Sequence, residues 1–526
     1  MAEGYDYVIV GAGSAGCVLA NRLTADGTTT VLLLEAGPRD TDPWIHVPLG
    51  YGKLFARRDV NWAYDSEPEP ALNGRRIFSP RGKVLGGSSS INGLVYIRGQ
   101  PEDFDAWEVP GWSHVELLPY FKKAQHQSRG GSEWHGSGGP LGVSDLERHE
   151  LCDAFIASAE SLGIPRNDDF NGERQEGTGY YQATMRNGRR SSTAVAYLRP
   201  AEGRANLRVE TDALTTRIVF EGKRASAVEF LNHGKTSRAT ANREILLCGG
   251  SFNSPQLLQL SGVGPRALLE GHGIPVLLDS PEVGEGLQDH FYCRTFWRCN
   301  KPITLNDDMM SLCRQAKIGL DYLLFRRGPL TVSSGHAAAF VRTRPELKRP
   351  DAQLYFINFS TAKRGGVLHP WSGFTISVSQ LQVESRGSVR LRSADPREAP
   401  AIRYNYLAAE SDRRVMVEGL KTARRIAAAS PLRGYIVREE FPGPEARTDE
   451  DLLAVLRQAG ESVFHPTSTC RMGTDARSVV DSRLRVKGLA GLRVVDASVM
   501  PAVVSGNINA AVIAVAEKAA DLIHSV

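Results

Sequence analysis

Tyr5-Asp-Tyr-Val-Ile-Val-Gly-Ala-Gly-Ser-Ala-Gly16 combines an apolar run with three closely spaced glycines near the start of the chain. Residues 5–10 have the composition of a short, fully buried strand, and the glycines after it predict a turn into a helix over Cys17 to Leu23. We expect a second buried strand from Thr30 to Leu34, ending at Glu35. This order is typical of the start of a doubly wound α/β domain that binds a nucleotide.

The three glycines of this turn have separate expected roles. Gly11 permits the tight turn, Gly13 lets the backbone approach a diphosphate, and Gly16 lets helix and strand pack closely. Glu35 lies 24 residues after Gly11, where a carboxylate hydrogen-bonds ribose hydroxyls and repels the 2′-phosphate of NADP. The alternative is a glycine-rich turn that only connects the strand to the helix and binds no nucleotide. The fingerprint alone does not separate FAD from NAD.

The bulk composition excludes several classes of protein. At 526 residues the chain is longer than the ~250–300 at which single cores stop growing, so we expect two domains. Lys and Arg total 63 against 59 for Asp and Glu, which argues against a nucleic-acid partner. The seven scattered cysteines predict neither a disulfide framework nor a metal site, and no apolar run predicts a transmembrane segment. We expect a cytoplasmic protein, whose oligomeric state the sequence leaves open.

The pattern along the chain predicts a discontinuous first domain. Residues 200–250 favour a small antiparallel meander that returns to the parallel sheet, and residues 310–455 favour an antiparallel sheet backed by helices. The end of the chain returns to a buried strand and an apolar helix. The expected fold is α/β, and α+β overall, with a Rossmann-like nucleotide-binding domain and a substrate domain. The first comprises 1–150, 201–309 and 456–526, and the second 151–200 and 310–455.

Longer motifs carry a resemblance to a known family. Arg81 to Asn92 and Gly250 to Gly264 resemble the two signatures of the glucose-methanol-choline (GMC) oxidoreductases. With Phe464 to Gly473 and Val494 to Pro501, the resemblance spans essentially the whole chain. Within the family the likeness is to bacterial choline-dehydrogenase-type enzymes, including those for aliphatic alcohols and L-sorbose. It implies an FAD-binding first domain, a substrate domain over the isoalloxazine ring, and oxidation of a small-molecule alcohol.

The same resemblance implies which residues contact FAD. Ser14, Ala15, Glu35 and Ala36 would lie on the adenosine diphosphate half, and Thr215 at the adenine. The full expected set of cofactor contacts is Gly11, Gly13, Ser14, Ala15, Gly16, Glu35, Ala36, Trp62, Asn92, Gly93, Leu94, Val95, Thr215, Asp496 and Ala497. Ile91 occupies the position of the histidine that binds FAD covalently in some members, so non-covalent FAD is expected.

His465 is the expected catalytic base. Oxidation of an alcohol requires removal of the hydroxyl proton while hydride leaves the carbinol carbon for flavin N5, and imidazole titrates near the working pH. His465 aligns with the family's active-site histidine, and Asn509 with its histidine or asparagine partner. We also expect Asn509 to be the N-cap of the terminal helix. The alternative is that Asn509 serves only as a helix cap and has no catalytic role.

The substrate pocket and the electron acceptor are less well defined by the sequence. Many choline-dehydrogenase-like relatives have a glutamate where this chain has His336, so we expect His336 to line the pocket and choline to be a poor substrate. Val463 and Phe464 are the other expected pocket residues. A quinone or another non-oxygen acceptor is favoured. The alternatives are an oxygen-using oxidase and, from another class, a non-catalytic FAD- or NAD-binding protein.

Overall fold

The computed structural model describes residues 4–363 and 365–525. Its first sheet has seven strands around the N-terminal strand Gly4–Val10. In sheet order they are Leu207–Glu210, Val31–Leu34, Gly4–Val10, Lys235–Leu247, Arg224–Asn232 and Ala213–Glu221, with Leu492–Val494 also pairing with Lys235–Leu247. The central strands are buried where they pair in parallel, over residues 7–10, 31–34, 245–247 and 492–494, which explains the largely apolar composition of these stretches.

One long strand joins the two parts of this sheet. The first half of Lys235–Leu247 pairs antiparallel with Arg224–Asn232, and its second half pairs parallel with Gly4–Val10. The predicted meander that returns to the parallel sheet is therefore confirmed. Helix Ser14–Leu23 packs against Gly4–Val10 and against the C-terminal helix Asn509–His524, so the two ends of the chain share one core.

The second sheet is antiparallel and also has seven strands. In sheet order they are Ile436–Phe441, Phe291–Cys299, Gly373–Gln380, Ala352–Ile357, Ala337–Val341 and Gly177–Tyr180, with Glu461–Ser462 also pairing with Phe291–Cys299. Helix Glu410–Ala428 packs on Gly373–Gln380 and Ala352–Ile357, and helix Glu150–Ser161 packs on Ala337–Val341. An antiparallel lobe backed by helices is confirmed, and with it the α/β, overall α+β, fold class.

The boundaries between the domains differ from the expected ones. Phe291–Cys299 lies in the second sheet, although 201–309 was assigned to the first domain. Conversely, the helical turn Ala194–Leu198 lies against the first domain, where the Tyr197 carbonyl accepts a 2.7 Å hydrogen bond from Asn21. Ala194–Leu198 is apolar, and Phe291–Cys299 is largely buried apart from Arg294 and Arg298, so composition does not reveal which core each segment joins. The predicted domain ends at residues 1–3 and 526 lie outside the described residues.

Shorter elements complete the fold. The remaining helices are Pro43–His46, Tyr51–Leu54, Pro101–Asp105, His114–Ala124, Gly250–Leu260, Arg266–Gly271, Leu305–Met309, Leu312–Phe325 and Asp449–Ala459. The small sheets and ladders are formed by Glu285–Leu287, Gly387–Arg390 and Ala401–Arg403; Val95–Tyr96, Gln182–Ala183, Leu141–Asp145 and Gln125–Gln127; Tyr64–Asp65 and Phe78–Ser79; Met185–Arg186 and Arg189–Arg190; and Val263–Gly264 and Leu278–Asp279. Within 4–363 and 365–525, none of the helices has the length and apolar character needed to span a bilayer.

Candidate active site

A cavity of about 560 Å³ connects the N-terminal glycine turn with His465. Its lining draws on residues from both ends of the chain and from both sheets. The predicted site residues that line it are Gly11, Gly13, Ser14, Ala15, Glu35, Ala36, Trp62, Asn92, Gly93, Leu94, Val95, Thr215, Val463, Phe464, His465, Asp496, Ala497 and Asn509. Tertiary folding therefore gathers most of the predicted set around one space.

The glycine turn has the geometry that the sequence predicts. Gly11 has φ +99°, and a Cβ there would lie 2.6 Å from the Cys248 carbonyl oxygen. A Cβ on Gly16 would lie 1.9 Å from the Gly11 carbonyl oxygen, so Gly16 serves helix packing and does not line the cavity. No side chain of a described residue caps the helix at Gly13. The amides of that helix N-terminus therefore face the cavity with the partial positive charge that suits a diphosphate.

Glu35 ties the glycine turn to the end of the second strand. Its two carboxylate oxygens accept hydrogen bonds from the amides of Ala12 and Gly37, each at 2.9 Å. Burial raises the pKa of Glu35 to about 7, against the opposing effect of these backbone bonds. Nearby, Thr215 Oγ1 is a buried hydroxyl with no hydrogen-bond partner among the described residues. Such an unsatisfied group in a cavity wall fits a site that a polar ligand completes.

The segment after Arg81 lies directly on the glycine turn. Gly87 has φ +53°, and a Cβ there would lie 2.6 Å from the Gly13 Cα atom. Asn92 then enters the cavity wall, where its Oδ1 accepts a 2.6 Å hydrogen bond from the buried Arg190. Burial lowers the pKa of Arg190 to about 9. The glycines of this motif thus allow two backbone segments to meet at the cavity floor.

Asp496 organises the opposite wall. Its carboxylate accepts hydrogen bonds from the Gly250 amide at 2.9 Å, the Ser254 hydroxyl at 2.6 Å and the Ser498 amide at 2.8 Å. Burial raises the pKa of this carboxyl group. Asp496 therefore joins the start of helix Gly250–Leu260 to the end of strand Leu492–Val494, so two separate sequence motifs meet at one side chain.

His465 is held by a turn with an unusual backbone conformation. Phe464 has φ +73°, and its amide donates to the Ser462 hydroxyl at 2.8 Å. The Phe464 carbonyl accepts a 2.7 Å bond from Arg81, and the His465 amide donates to Asp289 at 2.6 Å. A left-handed conformation in a non-glycine residue costs about 1 kcal/mol or more and persists only where the surroundings impose it. These contacts fix the position of the imidazole.

The imidazole of His465 lies between two side chains that the sequence analysis missed. Its Nδ1 atom is 3.0 Å from His290 Nδ1, and its Nε2 atom is 3.1 Å from Asn507 Nδ2. Asn507 also lines the cavity. The segment Gly506-Asn-Ile-Asn509 contains two asparagines, and either could be the partner of His465. Asp289 and His290 are neighbours in the sequence, and an aspartate next to a histidine is a further signal of a functional site.

Asn509 has a different environment from the expected one. It lines the cavity, but its Oδ1 atom accepts a 2.8 Å hydrogen bond from the Ser14 hydroxyl at the glycine turn. It is the first residue of the C-terminal helix, and Ile508 is the N-cap. The asparagine that the structure places beside His465 is therefore Asn507, because the chain turns into the helix between the two.

His336 does not lie in the cavity wall among the described residues. Its Nε2 atom is 2.6 Å from the Glu147 carbonyl oxygen, and its ring lies near those of Tyr180 and His149. Burial lowers the pKa of His336 to about 4, so the ring is neutral. The expectation that His336 faces the substrate is corrected, since the ring packs inside the second lobe.

The fold and site define a class of protein. The cavity has a glycine turn suited to a diphosphate at one end and a histidine–asparagine pair at the other. These are features of a flavin-dependent oxidoreductase. Models of the GMC oxidoreductase family match residues 5–292 and 383–516. The chain belongs to the GMC oxidoreductase family, which confirms the resemblance read from its motifs.

Relatives and solved structures are similar over almost the entire chain. An alcohol dehydrogenase [acceptor] of Pseudomonas putida is 43% identical, covering 99% of this chain and 95% of the relative. An oxygen-dependent choline dehydrogenase of Pseudomonas putida strain KT2440 is also 43% identical, over 100% and 94%. Pyridoxine 4-oxidase from Mesorbium loti is 32% identical, with a TM-score of 0.90 over 99% of both chains. An FAD-dependent oxidoreductase from Chaetomium thermophilum is 27% identical, with a TM-score of 0.91 over 99% of both chains.

Proposed function

We propose that this protein is an FAD-dependent alcohol dehydrogenase in which His465 removes the hydroxyl proton as hydride leaves the carbinol carbon. The observation that carries the proposal is the single cavity that joins the glycine turn to His465 and Asn507. FAD, when bound, supplies flavin N5 as the hydride acceptor. The alcohol loses one proton and one hydride and becomes an aldehyde or ketone.

The residues present fit FAD. The helix N-terminus at Gly13 faces the cavity without a side-chain cap from any described residue, which suits the diphosphate. The buried Thr215 hydroxyl has no hydrogen-bond partner within the described chain. The family resemblance implies that Thr215 lies at the adenine end of FAD. Ile91 lines the cavity and has no atom that forms a covalent bond to a flavin. We therefore propose non-covalent FAD.

Asn507 supports the proton transfer at His465. Asn507 Nδ2 lies 3.1 Å from His465 Nε2 and donates to it, and a bound alcohol would replace this bond: its hydroxyl would donate to His465 Nε2 and its oxygen would accept from Asn507 Nδ2. The amide then stabilises the negative charge that develops on the oxygen as its proton leaves. Asn507 Oδ1 is buried and has no hydrogen-bond partner among the described residues, as expected of a group that a ligand completes.

The charges around the cavity favour a neutral alcohol over choline. Among described residues its only carboxylates are Glu35 and Asp496, and both are committed to amide or hydroxyl donors. Arg81 also lines the cavity, and a quaternary ammonium group would meet its positive charge. We therefore propose that choline is a poor substrate because of the charges that line the cavity, and not because of His336.

A quinone or another non-oxygen molecule is the proposed electron acceptor. The similarity to the alcohol dehydrogenase [acceptor] supports it. The names of the oxygen-dependent choline dehydrogenases favour the second candidate, an enzyme that uses oxygen. Parallel assays with a dye acceptor under nitrogen and with oxygen alone distinguish the two. Turnover with oxygen as fast as with the dye would select the oxidase.

The base is tested with His465→Ala in the flavin-loaded protein. A positioned general base contributes roughly 10²–10⁴-fold, so kcat for a panel of alcohols should fall by that factor while bound flavin is retained. His524→Ala, at the exposed end of the C-terminal helix, is the matched control. Unchanged turnover in His465→Ala, or a protein that does not bind FAD, would reject the proposal.

A further inference from the structure

We infer that His290 is a positioning residue that keeps the His465 proton on Nδ1 and thereby presents Nε2 to the cavity as a lone pair. The inference rests on the proposed role of His465 as the base. It concerns the hydrogen-bonded series Leu381, His290, His465 and Asn507, which we call the tautomer relay. The relay joins four segments that are far apart in the sequence.

The direction of the relay is set at its buried end. His290 Nε2 is 3.1 Å from the Leu381 carbonyl oxygen. A carbonyl oxygen accepts and never donates, so the proton of His290 must be on Nε2. A neutral imidazole carries one proton, and Nδ1 of His290 is therefore an acceptor.

Neutrality of His290 follows from its surroundings. Its side chain is 1% exposed, and burial lowers its pKa to about 4. Its two ring nitrogens have partners in Leu381 and His465. The neighbouring carboxyl group of Asp289 is directed to the amide of His465 and to the hydroxyls of Ser462 and Tyr406. His290 is thus a fixed, uncharged acceptor at neutral pH.

The second step fixes His465. Its Nδ1 atom is 3.0 Å from the acceptor atom of His290, so Nδ1 must carry the proton. Nε2 is then an acceptor, and the Asn507 amide group can donate to it through Nδ2, 3.1 Å away.

The relay has a consequence for proton transfer. The hydroxyl proton of an alcohol can move only to a nitrogen that has a lone pair facing the cavity, and the opposite tautomer of His465 would present an N–H there instead. After transfer, the imidazolium still donates through Nδ1 to His290, which spreads and stabilises its charge. An orienting partner acts in this way in other histidine bases, and loss of the correct tautomer there costs about 10⁴-fold.

Two substitutions separate the relay from simple packing. The glutamine of His290→Gln has an oxygen that can accept from His465 and an amide that can donate to Leu381. His290→Leu fills similar space and can do neither. We expect His290→Leu to lower kcat roughly 10²–10⁴-fold at little changed KM, and His290→Gln to remain within about tenfold of wild type. Equal activity in the two variants, whether high or low, would overturn the inference.

A measurement on the unmodified sequence reports the tautomer of His465 directly. In flavin-loaded protein with ¹⁵N-labelled histidine, the His465 resonances, assigned by their loss in His465→Ala, should show a protonated Nδ1 and an unprotonated Nε2. The reverse assignment would refute the relay directly. Failure of the proposed function is a separate result, because His465→Ala would then turn over alcohol as fast as wild type.

Discussion

Substitution of Asp289 tests how the turn that carries His465 is held. The buried carboxyl group accepts a 2.6 Å hydrogen bond from the His465 amide and bonds from the Tyr406 and Ser462 hydroxyls. Each buried donor left without a partner costs about 1–3 kcal/mol. Asp289→Ala leaves all three donors without their acceptor, so we expect a loss of unfolding free energy of at least about 3 kcal/mol.

Asp289→Asn should behave differently. Burial raises the pKa of Asp289, which means that the surroundings favour its uncharged form and need its acceptor atoms more than its charge. The asparagine oxygen can still accept from the His465 amide, and the two hydroxyls can rotate to accept from its amide group. We expect a loss of no more than about 1.5 kcal/mol, the net value of one ordinary hydrogen bond.

The assay for Asp289 combines urea unfolding of the flavin-loaded variants with kcat at saturating alcohol. A misplacement of about 1 Å at a reacting group can cost 10²-fold, so kcat of Asp289→Ala should fall by about that factor. Asp168→Ala, which removes an exposed carboxylate paired with Arg166, is the control and should change stability by less than about 1 kcal/mol. If Asp289→Asn lost as much stability as Asp289→Ala, the charge would be the essential feature and our reasoning would be refuted.

Two other predictions concern the cavity. The raised pKa of Glu35, about 7 against 4.5, means that its contribution to stability is present below pH 4.5 and is lost as pH rises through 7. The apoprotein should therefore lose on the order of 3 kcal/mol relative to Glu35→Gln between pH 4.5 and 8 in urea titrations, and parallel curves would contradict the assignment. Asn507→Ala should lower kcat about 10²–10³-fold, the effect of losing one oxyanion donor, whereas Asn509→Ala should stay within about tenfold. Equal losses in steady-state kinetics would restore Asn509 to the catalytic role.

Local chemistry made part of this protein predictable. The spacing of Gly11, Gly13 and Gly16 specifies a backbone path that few other residues can follow, so the strand, turn and helix around it could be predicted without knowing any distant contact. The same holds for the buried strand that ends at Glu35. The presence of His465 in the cavity wall could be predicted because it lies inside a long motif that carries the family resemblance.

Other residues could be placed only in the folded chain. His290 meets His465 across 175 positions in sequence, and Asp289 meets the His465 amide across 176. No local pattern encodes such a contact, because it depends on how the second sheet closes over the first domain. The same limit explains the position of His336, whose ring direction is set by the strand Ala337–Val341 and its neighbours.

Sequence patterns alone predicted the glycine turn, the parallel and antiparallel sheets, the family, and a histidine that lines the cavity. The folding of distant segments places Asn507, and not Asn509, beside that histidine, and brings His290 and Asp289 into contact with it. The physical reason is that periodicity and backbone preference act over a few residues. The direction of a side chain, and the partner that it meets, depend on the packing of segments hundreds of residues apart.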